Sequence, residues 1–210
     1  MKLIETMRVT VSGEVYLIER HLDRLSRSAK FFSFEYDRRK VHDEIVKAVP
    51  ADGLPLCLRL TLSREGVLQF EIRPLPPRYA SRLILSTVRV DTTDVSLYHK
   101  TTNRGVYDQA RQECDAETDA ILANERGEIT ETTVANVAVF RDERWVTPHL
   151  SCGVLPGVMR EELLARREIV EGVIRSEDLM DGERVRCFNA LRGVSDVEFA
   201  GSPNVNVNGP

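Results

Sequence analysis

The chain has 210 residues, of which 42% are hydrophobic and 30% charged, and its formal net charge at pH 7 is -4. This length allows one large domain or two small ones, and either can bury a core. Since lysine and arginine form no block, the composition argues against nucleic acid as a partner. No apolar run approaches the roughly 20 residues that cross a bilayer, and the N-terminus does not have the pattern of a signal peptide, so we expect a cytoplasmic protein.

The cysteines, histidines and serines form no recognisable metal or hydrolase motif. The 4 cysteines are widely spaced without a CxxC pair, which is typical of free thiols in a reducing compartment. The 4 histidines show no HExxH spacing, and no serine lies in a GxSxG elbow. We therefore expect neither a bound metal nor a serine nucleophile.

The first half of the chain predicts a mixed unit of helices and strands. Alternating residues, a turn at Ser12 and Gly13, and a second apolar run predict a β-hairpin. The apolar residues that follow are three or four positions apart, which favours a helix. In chain order, the predicted elements are a hairpin over 2–18, helices over 20–34 and 38–49, the second ended by Pro50 and Gly53, and a second hairpin over 54–75.

A proline-rich stretch over 73–79 is the best candidate for a linker. Three prolines within four positions suit neither a helix nor a central strand. We therefore predict a small domain over 1–75, a linker over 76–81, a larger domain over 82–200 and a tail over 201–210.

The second half again mixes strands and helices. Its turns, alternating runs and periodic runs are short and show no repeat of fixed period. The fold class is therefore α/β or α+β, in two parts. The predicted elements are a strand over 82–91, a helix over 104–117, a meander of short strands over 120–148, a turn that opens a helix over 153–170, a strand with a loop over 183–199, and a loosely ordered tail over 202–210.

Four features could carry chemistry, and each also has a simpler explanation. Lys100, in YHKTTNR, is either a solvated lysine or a reactive amine. The Pro-Gly turn before residue 158 is either an ordinary helix start or a phosphate seat built from free N–H groups. Arg24 is either solvated or a bidentate phosphate partner. Glu131 is either a solvated group at a strand edge or a buried carboxylate that needs a cationic partner.

Taken in order along the chain, these features resemble the class IV (fold-type IV) pyridoxal-phosphate enzymes. That family includes branched-chain and D-amino-acid aminotransferases and 4-amino-4-deoxychorismate lyase. The resemblance implies a small α/β N-terminal domain, a larger β-barrel-like C-terminal domain with helices, pyridoxal 5'-phosphate as cofactor, a small-molecule substrate and a homodimer. The matching segments are LIETMRV, HLDRLSRSA, HKTTNR, NERGEITETTVANVAVF, GVLPGVMR and NALRGV.

The resemblance also implies a role for each matching residue. Lys100 would form the Schiff base with the cofactor and move protons. Glu131 would face the pyridine nitrogen, which helps the ring accept electrons. Arg24 would hold the phosphate. The remaining contacts to the phosphate would come from Val158, Met159, Asn189 and Ala190.

Within the family, the segments around Lys100 and Asn189 are most similar to aminodeoxychorismate lyase, which releases 4-aminobenzoate, the folate precursor, and pyruvate. Thr6, where branched-chain aminotransferases carry glycine, would assist the proton transfer. Arg64 and Arg192 are candidates for binding the substrate carboxylates. Two alternatives stay open: an aminotransferase acting on branched-chain or D-amino acids, and a non-catalytic module on the same fold.

Overall fold

The strands of the first half form a three-stranded antiparallel sheet that carries two helices. The computed structural model describes residues 1–50 and 54–201, so Gly53 and the tail over 202–210 lie outside the described residues. The elements are β1 (Leu3–Val9), α1 (Ile18–Phe32), α2 (Arg38–Ala48), β2 (Leu56–Leu62) and β3 (Leu68–Pro74).

The alternation of side chains along β1 gives the small sheet two different faces. Leu3, Met7 and Val9 are buried in one apolar cluster with Leu22 and Leu25 of α1. Side chains at intervening positions point to the opposite face of a strand. The sheet therefore buries one face under the helices and turns the other, which carries Thr6 and Arg8, away from them.

The predicted N-terminal hairpin is wrong in its second strand. A turn does form at Gly13, whose φ is 78°, but beyond it only a single bridge joins Val9 to Val15. Leu17 then adopts a left-handed conformation and α1 begins, so β1 pairs along its whole length with β2 instead. The apolar residues after the turn pack as a helix on the sheet, which buries more of them than a two-stranded ribbon could.

The second half forms a larger sheet, most of which closes on itself. Strand order is β10-β11-β4-β5-β6-β7-β8-β9, and β7 also pairs with β10, so six strands form a barrel. This confirms the mixed α/β fold with a barrel-like second half, whereas the division into two domains with a linker stays a prediction. The elements are β4 (Arg82–Val90), α3 (Gly105–Arg111), β5 (Thr118–Asn124), β6 (Ile129–Thr132), β7 (Asn136–Arg141), β8 (Arg144–Pro148), α4 (Val158–Ala165), β9 (Val170–Gly172), β10 (Arg184–Asn189) and β11 (Gly193–Phe199).

Three predicted elements of this half differ from the structure. The helix predicted over 153–170 ends at Ala165. Helix α3 ends at Arg111, because the Asp115 carboxylate accepts hydrogen bonds from the backbone N–H groups of Glu117 and Thr118 at 2.9 and 2.8 Å and so favours a turn. The predicted strand and loop over 183–199 is a pair of antiparallel strands, β10 and β11.

Backbone hydrogen bonds and ion pairs join the small sheet to the barrel side. The Ile4 N–H donates to the Lys100 carbonyl at 2.9 Å, and a bridge pairs Leu3 with Thr101. Arg20 of α1 pairs with Glu162 of α4 at 2.7 Å. The segment around Lys100 is therefore held against β1. Within the described residues, none of the helices has the length and apolar character needed to span a membrane.

Candidate active site

A cavity of about 510 Å³ lies where the small sheet meets the barrel. Its lining combines the outward face of β1 with the segment around Lys100, strand β6 and the start of α4. The structure therefore brings together residues that are far apart in the sequence. Of the residues singled out in the sequence, those that line the cavity are Thr6, Arg24, Lys100, Glu131, Val158, Asn189, Ala190 and Arg192.

Lys100 is not a solvated surface lysine. Its side chain is partly buried and lines the cavity. Burial, followed by the nearby cations Arg24 and Arg104, lowers the pKa of Lys100 to about 8, although Glu5 and Glu131 act in the opposite direction. A substantial fraction of this amine is neutral near pH 8, and a neutral amine can act as a nucleophile and accept protons.

Glu131 is buried and held by three hydrogen bonds. Its Oε1 accepts from the Tyr107 hydroxyl at 2.7 Å and from the Leu155 N–H at 3.3 Å, and its Oε2 accepts from the Asn136 amide at 3.0 Å. Burial raises the pKa of Glu131, while the bonds from Tyr107 and Leu155 and the charge of Lys100 oppose that rise. Of the two alternatives for this carboxylate, the structure selects the buried group that gains from a cation placed opposite it.

Arg24 is buried and forms a bidentate ion pair with Glu5, a residue that sequence reasoning missed. Its Nε donates to Glu5 Oε1 at 2.9 Å and its Nη2 donates to Glu5 Oε2 at 2.6 Å, while His21 Nδ1 lies 2.6 Å from the same Oε2. Burial would raise the pKa of Glu5, but the charges of Arg24 and His21 lower it to about 2. Glu5 is therefore ionised at neutral pH and holds Arg24 at the cavity wall.

The start of α4 offers free backbone donors beside Arg24. In the part of the chain that the structure describes, no side chain caps this end, and the first N–H groups of a helix have no intrahelical partner. Glycine is required just before it, because a Cβ at Gly157 would lie 1.9 Å from Asn136 Oδ1. Val158 lines the cavity, whereas the Met159 side chain is buried in the apolar cluster beneath α4 and only its backbone belongs to this helix start.

The cavity fits the cofactor that the resemblance implies. Arg24 Nη1 makes no hydrogen bond with the described residues, and the start of α4 adds N–H donors, so a phosphate has partners here. Glu131 offers a buried carboxylate to a protonated ring nitrogen, and Lys100 offers an amine to an aldehyde. These three chemical requirements meet in one cavity.

The structure does not support Arg64 as a substrate ligand within this cavity. It is exposed in the turn between β2 and β3, where its Nη1 donates to the Phe32 carbonyl at 3.1 Å. Arg59 and Arg73, from the strands on either side of that turn, line the cavity instead. Alternation could have found Arg59, because Leu58 and Leu60 beside it are buried and it must point to the other face.

Arg192 and Asn189 lie on the barrel side of the cavity. Arg192 Nε donates to the Pro77 carbonyl at 3.1 Å, which leaves its Nη1 and Nη2 without a partner among the described residues. Asn189 Oδ1 accepts from the Leu191 and Arg192 N–H groups at 3.0 and 2.7 Å. Asn189 therefore shapes the turn that positions Ala190 and Arg192.

Comparisons with known proteins give the family. The amino-transferase class IV model matches residues 2–198. A Schizosaccharomyces pombe protein provisionally named an aminodeoxychorismate lyase is 32% identical over 192 residues, which cover 87% of this chain and 83% of that protein.

Solved structures share the fold. A provisionally named amino-acid aminotransferase from Mesorhizobium loti superposes with a TM-score of 0.86 at 34% identity, covering 95% of this chain and 99% of that chain. The 4-amino-4-deoxychorismate lyase from Pseudomonas aeruginosa, with a TM-score of 0.80 and 22% identity, covers 96% of this chain and 84% of that chain and shows a common fold. This chain therefore belongs to the class IV aminotransferase family, whose members are enzymes that use pyridoxal 5'-phosphate.

Proposed function

We propose that this enzyme is a lyase that converts 4-amino-4-deoxychorismate into 4-aminobenzoate and pyruvate. The observation that carries the proposal is the set of arginines around the cavity. Arg59 and Arg73 line it on the small-sheet side, and Arg104 and Arg192 line it on the barrel side. A substrate with two carboxylates can bind one of them at each side, since guanidinium groups are the natural partners of carboxylates. The S. pombe relative with the lyase name supports the same reaction.

In the proposed reaction, each residue of the chain has a separate task. The bound cofactor supplies a ring that accepts an electron pair from the substrate. Arg24 and the N–H groups at the start of α4 hold its phosphate, and Glu131 keeps the ring nitrogen protonated. Lys100, whose pKa is lowered to about 8, removes the proton from the carbon that bears the substrate amine.

Thr6 would deliver a proton to the departing side chain. It lies on the face of β1 that lines the cavity, two positions from Ile4, which also lines it. Its hydroxyl can pass a proton to the enolpyruvyl group while the arginines hold the two carboxylates. Because Lys100 has already taken the proton from the amine-bearing carbon, cleavage of the bond from the ring to the enolpyruvyl oxygen releases pyruvate and leaves the aromatic 4-aminobenzoate.

The experiment is to supply aminodeoxychorismate and measure 4-aminobenzoate and pyruvate. We expect both products from the unaltered protein and neither from Lys100→Ala, while Lys47→Ala, at an exposed lysine, stays active. If the unaltered protein with bound cofactor forms no 4-aminobenzoate, the lyase proposal is wrong.

An aminotransferase is the second candidate, supported by the M. loti structure and its name. It predicts that D-alanine or a branched-chain amino acid converts the bound cofactor to its amine form, which changes its absorption. Conversion by these amino acids without lyase products would establish that alternative. The arginines favour the lyase because a branched-chain side chain needs an apolar pocket rather than cations.

The substrate arginines have their own test. Arg59→Gln and Arg73→Gln each remove a cation from the cavity, and we expect each to raise KM about 10- to 100-fold with little change in cofactor affinity. Arg64→Gln is the matched control, because that arginine lies outside the cavity. Equal effects of all three substitutions on KM would show that the cavity arginines do not bind the substrate.

We also propose a cytoplasmic homodimer, as the resemblance implies. In support, apolar side chains are exposed at the edge of the cavity. Val134 lines the cavity and is 44% exposed. Phe31 is 56% exposed, and the centroid of its ring lies 4.5 Å from that of the cavity residue His99. Sedimentation velocity on the holoenzyme tests this, and a monomer at micromolar concentration would contradict it.

A further inference from the structure

The His21 side chain at the cavity wall has a nitrogen with no partner. His21 is 1% exposed, its Nδ1 lies 2.6 Å from Glu5 Oε2, and its Nε2 has no hydrogen-bond partner among the described residues. Within the described residues, two other buried side-chain nitrogens lack a partner, Arg8 Nε and Arg160 Nε, but neither of those arginines lines the cavity. An unsatisfied buried polar atom costs about 1–3 kcal/mol, so a ligand that forms a hydrogen bond with this nitrogen would remove that cost.

The charges of Glu5, Arg24 and the start of α4 bear on how a phosphate would bind beside His21. Glu5 is ionised, because its pKa is lowered to about 2, and its charge offsets that of Arg24. The pair is therefore neutral overall, whereas the phosphate of the cofactor is close to a dianion at neutral pH. The start of α4 supplies about half a positive charge. A further cation beside the phosphate would therefore stabilise a buried dianion here.

We propose that His21 takes up a proton when the phosphate of the cofactor binds, and that its Nε2–H then donates a hydrogen bond to a phosphate oxygen while Nδ1–H donates to Glu5. This inference rests on the proposed function, in which Arg24 and the start of α4 hold the phosphate. Glu5 thereby acts as a positioning residue for two donors, since it fixes both the Arg24 guanidinium and the His21 ring.

The groups that face His21 explain why it is neutral before the ligand binds. Burial lowers its pKa, Glu5 opposes this, and Arg24 and Lys100 lower it further. The proton on Nδ1 is shared with Glu5, so Nε2 is the unprotonated nitrogen. A phosphate dianion beside Nε2 favours the protonated ring, so the pKa of His21 is higher in the complex than in the free protein. Affinity for the phosphate is then fully present below the pKa of the free protein and is lost as pH rises through the higher pKa of the complex.

The experiment reads the charge of His21 directly. The full chain is labelled with ¹⁵N-histidine, and ring nitrogen shifts are recorded at pH 7.5 with and without 4'-deoxypyridoxine 5'-phosphate. This analogue has no aldehyde, so Lys100 stays an amine. We expect His21 to change from a neutral ring with one protonated nitrogen to a ring with both protonated. A ring that stays neutral in the saturated complex would overturn the proposal.

Substitutions assign the signal and add a second readout. Replacing His42, His99 and His149 one at a time identifies the His21 resonances by elimination, so the result does not depend on folding of a His21 variant. His21→Asn should weaken binding of the analogue about 10- to 100-fold at pH 7 and flatten its pH dependence. His42→Asn, at a histidine that does not line the cavity, should keep both. Equal loss in the two variants would contradict the role of His21.

Failure of this inference and failure of the proposed function give different results. The same analogue without its phosphate, 4'-deoxypyridoxine, should leave His21 neutral. Protonation of His21 by this compound would contradict a hydrogen bond from His21 to the phosphate. If pyridoxal 5'-phosphate forms a borohydride-reducible bond to Lys100 while His21 stays neutral, only the inference is wrong. If no such bond forms at saturating cofactor, the proposed function is wrong as well.

Discussion

The buried ion pair between Glu5 and Arg24 predicts a large loss of stability for Glu5→Gln. Glutamine keeps the size of the side chain but removes the charge that compensates Arg24, which is 5% exposed. The lowering of the pKa of Glu5 from 4.5 to about 2 corresponds to about 3 kcal/mol of stability at pH 7. Removing one partner of a buried ion pair costs about 3–5 kcal/mol, which agrees with the value from the pKa of Glu5. We therefore expect the free energy of unfolding to fall by about 3 kcal/mol.

Urea unfolding at several pH values measures this effect. Because the pKa of Glu5 is lower in the folded protein, its contribution is fully present above pH 4.5 and is lost as pH falls towards 2. The difference between the two proteins should therefore shrink below about pH 5. The matched control is Glu19→Gln, because Glu19 pairs with Arg38 on the surface at 68% exposure and should contribute less than about 1 kcal/mol. A loss below about 1 kcal/mol for Glu5→Gln at pH 7 would refute the reasoning.

Two further predictions concern the amine and the phosphate seat. Arg104→Gln removes a cation that lowers the pKa of Lys100. When the amount of cofactor trapped by borohydride is measured against pH, the midpoint should therefore move upwards from about 8. A midpoint that stays or falls would contradict Arg104 as a cause of the lowered pKa. Gly157→Ala places a Cβ 1.9 Å from Asn136 Oδ1 and should lower the free energy of unfolding, measured by thermal unfolding, by about 1–3 kcal/mol. Gly105→Ala is the control, because a Cβ there meets no described atom within 4 Å and should not destabilise the protein. Equal stability of the two variants would show that the turn before α4 adapts freely.

The sequence predicted the parts of the site that depend on local pattern and on the ordered resemblance. Helix α1, the turn into α4 and the meander around Glu131 follow from periodicity and turn residues. The class IV resemblance singled out Lys100 and Arg24, and both line the cavity. Sequence reasoning had no means of choosing between a solvated and a buried Glu131, because burial of a strand depends on what packs against it.

The residues that sequence reasoning missed were those whose partners are distant in the chain. Glu5 alternates with Leu3 and Met7, so its place on the buried face of β1 was readable, and a carboxylate there needs a partner. His21 and Arg24 are three positions apart on one helix face, which is compatible with such a partnership. Only the docking of α1 on β1 shows that these three groups meet.

What the sequence by itself determined is therefore the fold class, most of the helices and strands, and the chemistry that the cavity could hold. The tertiary structure decided which strand pairs with β1, which of the arginines line the cavity, and which nitrogen of His21 is left without a partner. The physical reason is that local pattern sets which face of an element is apolar, whereas register and packing angle set which polar groups come within hydrogen-bonding distance across it.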